Sequence, residues 1–116
     1  MRVLLVDDEK KFTTMLAKRL SLRGVDVDYA YTGKEAIAKI ETSNYDVAIL
    51  DVKMPGIGGL ELKRLLKEMA PEMKFIFLTG HGSKTDFETG SAEVARYLAK
   101  PIQIDELIKI LQEVAG

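Results

Sequence analysis

The sequence predicts an α/β fold, a doubly wound parallel sheet of five strands with helices on both faces. Three observations predict it. Short all-apolar runs recur at Val3–Val6, Val47–Leu50 and Phe75–Leu78, the pattern of strands buried on both faces. Helical apolar spacings alternate with these runs, and successive βα units favour a parallel sheet joined by right-handed crossovers. The first two runs end in acid, Val6 at Asp7-Asp8-Glu9 and Leu50 at Asp51.

After the first strand, Phe12, Met15, Leu16 and Leu20 recur at helical spacing, and Gly24 is placed to end that helix. Val25, Val27 and Tyr29 then alternate with Asp26 and Asp28, which predicts a half-exposed strand at an edge, closing at Ala30. Thr32 followed by Glu35 reads as a capping box opening a helix with Ala36, Ile37 and Ile40 on one face. The run Val47–Leu50 is the third strand. Pro55, Gly56, Gly58 and Gly59 mark a loop, and the next helix carries Leu62, Leu65, Leu66 and Met69 before Pro71 ends it. Phe75–Leu78 is the fourth strand and stops at Thr79. Val94–Ala99 is the fifth and stops at Lys100-Pro101, and Ile104, Leu107, Ile108 and Leu111 mark the last helix.

Composition sets limits on function. A chain of 116 residues, 47% hydrophobic, lies in the single-domain range, so residues 1–116 are expected to form one domain. With a net charge of −1 and interspersed charges, nothing marks a nucleic-acid footprint. The absence of cysteine excludes disulfides, thiol catalysis and cysteine-ligated metals. The apolar runs are too short to span a membrane, and acid at Asp7 interrupts any signal-peptide core. A cytoplasmic protein is expected.

Parallel strands point the same way, so acids just beyond their ends meet at one sheet edge, where open α/β sheets bind ligands. Two carboxylates about 5 Å apart repel by roughly 3 kcal/mol at an effective dielectric near 20. A divalent cation reverses that sign. Mg²⁺ prefers oxygen ligands, one or two carboxylates plus phosphate, so the acids predict a magnesium site that handles phosphoryl groups. Each strand-end residue also has a plain alternative, since a lone acid or Thr79 could cap a helix and Lys100 could be a solvated charge. Jointly, an acid pair, a central carboxylate, a hydroxyl and a cation suit transfer of a phosphoryl group to a carboxylate. Asp51 would attack, and Thr79 and Lys100 would hold phosphoryl oxygens.

Four segments carry a resemblance: Leu4-Leu5-Val6-Asp7-Asp8-Glu9, Leu50-Asp51-Val52-Lys53-Met54-Pro55-Gly56, Leu78-Thr79-Gly80-His81-Gly82 and Tyr97-Leu98-Ala99-Lys100-Pro101. In order and spacing the chain resembles, over nearly its whole length, a receiver domain of the two-component response-regulator family. The resemblance implies a flavodoxin-like (βα)5 fold with strand order 2-1-3-4-5. It also implies phosphorelay signalling, with Asp51 as the phosphoacceptor served by a histidine kinase or a histidine phosphotransfer protein. Asp8, Asp51 and the main-chain carbonyl of Lys53 would bind Mg²⁺, with Asp7 helping through water. Lys100 would pair with Asp51 and then with the phosphoryl group, while Thr79 and Tyr97 would act as the switch. The Lys100-Pro101 bond would be cis, as X-Pro bonds can be. Such a domain is a signalling phosphoacceptor rather than a turnover enzyme. Its partners would be a downstream effector or output domain and, on phosphorylation, a second copy of itself, without direct binding to nucleic acid or membrane.

Between Thr79 and Val94 the chain departs from the family. Ser83 to Ser91 offers only Phe87 as a strong apolar anchor, Gly90 interrupts it, and Glu93 stands where a glycine is expected. A short, displaced or mobile helix is expected there. Gln103 replaces an acid before the last helix, and the lone histidine, His81, reads as a solvated loop residue. Rival functions fit less well. A flavodoxin-like cofactor site would not place Asp7-Asp8-Glu9 against an anion, and a haloacid-dehalogenase-type phosphatase wants an acid where Lys53 stands. No P-loop is present. The remaining rival is a receiver-like interaction module that works without phosphorylation.

Overall fold

Parallel pairing of the buried runs gives one sheet with the order β2-β1-β3-β4-β5, as expected. The computed structural model describes residues 1–80 and 96–115. Its strands are β1 (Arg2–Val6), β2 (Asp26–Ala30), β3 (Val47–Asp51), β4 (Lys74–Thr79) and β5 (Arg96–Ala99). Four helices lie among the described residues: α1 (Lys10–Leu22), α2 (Gly33–Thr42), α3 (Gly59–Met69) and α4 (Ile104–Ala115). The expected weak helix over Ser83–Ser91, together with His81, Glu93 and Val94, falls outside the described residues.

The all-apolar strands follow from a two-sided core. Side chains alternate across a strand, so Leu4, Val6, Ala48, Leu50, Phe75 and Phe77 face α2 and α3 through Ala36, Leu62 and Leu66. Val3, Leu5, Val47, Ile49, Ile76 and Leu78 face the other way, against Leu16, Leu20, Leu107 and Leu111 of α1 and α4. Edge strand β2 is less buried than the others, and Asp26 and Tyr29, on its opposite faces, both meet solvent.

Local signals act largely as predicted. Gly24 adopts φ +84° just after α1, and its N–H donates to the Ser21 carbonyl at 3.0 Å. The Thr32 hydroxyl accepts from the Glu35 N–H at 3.1 Å, capping α2. The return arm differs from a full capping box, because Glu35 Oε2 accepts from Tyr31 N–H at 3.2 Å, one residue early. Met15 is corrected more clearly. It is 44% exposed, and the buried stripe of α1 runs through Thr13, Leu16, Ala17 and Leu20. That i, i+3, i+4, i+7 stripe leaves Met15 on its flank. Met69 is likewise exposed, and Leu65 is half-buried, leaving Leu62 and Leu66 to anchor α3.

At the amino edge of the sheet Arg2 ties β1 to its neighbours. Its guanidinium lies 3.2 Å from Asp26 and 3.1 Å from Asp28, while its backbone N–H donates to Asp46 at 2.7 Å. Tyr45 donates its hydroxyl to Asp28 at 2.6 Å beneath the same guanidinium.

At the opposite edge β3 runs into α3 with no room to spare. The Gly59 N–H donates to the Val52 carbonyl at 2.9 Å. A Cβ on Gly59 would lie 2.9 Å from Val52 Cα and closer still to the Asp51 carbonyl oxygen. Both are backbone atoms and cannot swing away. Gly59→Ala should therefore lower stability by about 1–3 kcal/mol in urea denaturation, by overpacking. An unchanged midpoint would show that α3 shifts freely.

Candidate phosphoryl and metal site

Strand register assembles the site. Val6 pairs with Leu50, so Asp7 and Asp51 sit side by side at the ends of the two central strands. Asp51 pairs with Leu78 and Thr79 with Ala99, which carries Thr79 and then Lys100 to the same edge. The strand order reverses between β1 and β3, with β2 added on one side and β3 to β5 on the other, so this edge opens as the crevice expected of a doubly wound sheet. Carboxylate oxygens of Asp7, Asp8 and Asp51 all lie within 4.8 Å of one another. Asp7 and Asp51 are buried and Asp8 is exposed, so the trio has one solvent-facing side.

Asp7 is held from three sides. Its Oδ1 accepts the Glu9 N–H at 2.9 Å, its own N–H donates to the Ala30 carbonyl at 3.2 Å, and Lys100 Nζ lies 2.7 Å from Oδ2. Burial raises its pKa above the ordinary value, against the opposing pull of Lys100 and the Glu9 N–H. Asp51 is raised further, to about 7, first by burial and then by the charge of Asp7, with Lys100 opposing. For Lys100 itself burial lowers the pKa, but hydrogen bonds to Asp7 and Glu9 outweigh it and the net shift is upward.

Lys100 pairs with Asp51, as expected, but only at the outer limit of an ion-pair distance, and it lies closer to two other acids. Lys100 Nζ is 3.9 Å from Asp51 Oδ1, yet 2.7 Å from Asp7 and 2.8 Å from Glu9 Oε1. It also lies 4.5 Å from the centre of the Phe12 ring, a cation–π distance. The Lys100-Pro101 bond is cis, as expected. Thr79 is buried, and its hydroxyl has no hydrogen-bond partner among the described residues. Tyr97 is half-buried with its ring stacked on Phe77 at 5.2 Å. Lys53 is exposed just beyond Asp51.

Three residues here carry no clear sequence signal. Glu9 reads simply as a third acid in a run, and Phe12 as core. Thr13 is fully buried and donates to the carbonyls of Asp7 at 3.0 Å and Glu9 at 2.8 Å, fixing the start of α1 under the acidic loop. A lone hydroxyl on an otherwise apolar stripe is the trace it leaves in the sequence.

Known proteins resemble this chain in sequence and fold. The response regulator receiver domain family matches residues 3–112. The chain is 39% identical over 112 residues to the transcriptional regulatory protein TrcR of Mycobacterium tuberculosis, covering 96% of this chain and 44% of that protein. It is 35% identical over 109 residues to the response regulator MprA of Mycobacterium avium, covering 93% of this chain and 48% of that protein. The chain thus spans less than half the length of these curated relatives. Among solved structures, the chemotaxis protein CheY4 of Vibrio cholerae superposes with a TM-score of 0.89 at 32% identity, covering 97% of each chain. The response regulator TrrA of Thermotoga maritima, in complex with Mg²⁺ and BeF, superposes with a TM-score of 0.85 at 35% identity, covering 97% of this chain and 96% of that one.

The raised Asp51 pKa makes stability depend on pH. Between an unfolded value of 3.8 and a folded value of about 7, the folded chain keeps a proton that the unfolded chain releases. Stability from this group is therefore full below the lower value and is lost as pH rises through the upper one. In EDTA, Asp51→Asn should raise stability at about pH 8 by roughly 1–3 kcal/mol and flatten the slope between about pH 5 and pH 8. Urea denaturation at several pH values checks this, and a slope that survives the substitution would contradict it.

Proposed function

This chain belongs to the response regulator receiver domain family, and we propose that Asp51 is its phosphoacceptor. The observation that carries this is the meeting of Asp7, Asp8 and Asp51 with Thr79 and Lys100 at one sheet edge. Receiver domains bind Mg²⁺ at such an aspartate cluster, and these hard oxygen donors suit that ion. Asp8 and Asp51, with the Lys53 carbonyl, would hold it, and Asp7 would support it through water. Bound there, it supplies positive charge against the phosphoryl oxygens.

The protein's own groups do the rest. A donor phosphohistidine, on a histidine kinase or a histidine phosphotransfer protein, presents its phosphorus to Asp51. A carboxylate oxygen of Asp51 forms the new P–O bond as the P–N bond breaks, and the imidazole leaves with the electron pair and takes a proton from water. Lys100 supplies an ammonium and Thr79 a hydroxyl to the phosphoryl oxygens. The buried Thr79 hydroxyl lacks a partner among the described residues, so it has a bond to gain when a phosphoryl group arrives. Tyr97, stacked on Phe77 beside Thr79's strand, would transmit that change to the surface.

The domain acts as an acceptor that returns to its resting state by hydrolysis, not as a turnover enzyme. An effector protein, an output domain or a second copy would read the phosphorylated state. A phosphorylation-independent module would leave this set of charged groups without use, so the phosphoryl reading is preferred. Incubation with acetyl phosphate and Mg²⁺ should add one phosphoryl group, stable to acid and labile to base, seen by intact-mass analysis. EDTA and Asp51→Asn should each abolish it. An adduct that survives Asp51→Asn would reject the assignment.

A further inference from the structure

We propose that Glu9 is a positioning residue that holds Lys100 out of hydrogen-bond range of Asp51 until a phosphoryl group draws it across. The inference rests on the phosphoacceptor reading of Asp51. It starts from a side chain that its helix does not use. Glu9 occupies the N-cap of α1, yet its side chain makes no capping hydrogen bond there. Asp, Asn, Ser or Thr would serve that position better. Its carboxylate instead reaches Lys100, 91 residues away in sequence, at 2.8 Å.

The ammonium has three N–H donors. Its close contacts are Asp7 at 2.7 Å and Glu9 at 2.8 Å, while Asp51 at 3.9 Å lies beyond hydrogen-bond reach. The two anchors differ in what holds them. Asp7 is fully buried, and a buried carboxylate cannot be left without its cation cheaply. The Glu9 side chain is 63% exposed, so its pair with Lys100 is screened and weak and water can replace it. The Glu9 backbone is fixed, its N–H on Asp7 and its carbonyl accepting the Thr13 hydroxyl and N–H. Only its side chain has to swing.

A phosphoryl group on Asp51 adds negative charge and strong acceptor oxygens. Of the two anchors, Glu9 is the one Lys100 can release to meet it. In the resting state the same contact keeps the ammonium beyond hydrogen-bond distance of the nucleophile, so Glu9 sets how readily Lys100 joins the reaction.

The test compares labelling rates with acetyl phosphate and Mg²⁺. Glu9→Gln keeps size and polarity and removes the charge, and it should speed labelling about two- to fivefold. In a Lys100→Gln background the same substitution should change the rate by less than about 1.5-fold, because the effect runs through the ammonium. Equal rates for Glu9→Gln and the unsubstituted chain would overturn the proposal. So would an acceleration that persists without Lys100, which would mean that Glu9 acts only by repelling the anionic donor. A second readout needs no phosphorylation. The Lys100 ε-methylene NMR resonance should respond weakly to Asp51→Asn in the unsubstituted chain and strongly in Glu9→Gln. The same response in both would also overturn the proposal. If the folded, unsubstituted chain fails to label at all, the phosphoacceptor reading fails, and the NMR comparison still decides where Lys100 is held.

Discussion

The carboxylates of Asp7, Asp8 and Asp51 lie within 4.8 Å of one another, and their mutual repulsion is the constraint on which the cleft is built. At that spacing each pair repels by roughly 3 kcal/mol at an effective dielectric near 20. Three features moderate it. Lys100 brings a counter-charge to Asp7, the Glu9 N–H donates to the same carboxylate, and Asp51 keeps its proton up to about pH 7. None of them removes the conflict, and a cation seated among the three acids would. The site is therefore predisposed to a hard ion and an anionic ligand together.

Such a cluster persists only because the scaffold beneath it resists splaying. Asp7 and Asp51 extend directly from β1 and β3, whose apolar residues from Val3 to Val6 and Val47 to Leu50 are fully buried. Each strand is gripped from both faces, so moving one carboxylate means disturbing a packed core. Gly59 lets α3 press against the Asp51 backbone, and Thr13 ties the start of α1 to the carbonyls of Asp7 and Glu9. At the far edge, Arg2 and Tyr45 join β1, β2 and the entry to β3. Rigid strand ends and an exposed Glu9 side chain divide the cleft into fixed and exchangeable parts.

Much of this was legible in the sequence because strand ends and apolar runs are local signals. The runs before Asp7, Asp51 and Thr79 placed those residues on one edge once a parallel sheet was assumed, and the register bears this out. Contacts set by side-chain reach were less legible. Lys100 was expected against Asp51 and does lie 3.9 Å from it, but its shorter contacts to Asp7 and Glu9 are set by geometry that no local signal carries. Met15 looked like core because it is apolar at helical spacing, but the stripe turns through Thr13 and Ala17 instead. A small hydroxyl and an alanine carry less signal than a methionine, although they pack closer to the sheet.

Burial and the neighbouring acids suppress ionisation of Asp51, and Mg²⁺ among the carboxylates would restore it. The ¹³Cγ resonance of Asp51, followed by NMR against pH, tests this directly. Without metal it should titrate near pH 7. With Mg²⁺ in excess it should already be ionised at about pH 5, because ion and proton compete for the same oxygens. Titration near the ordinary value of 3.8 without metal, or a curve that Mg²⁺ leaves unmoved, would show that the acids do not compete in this way.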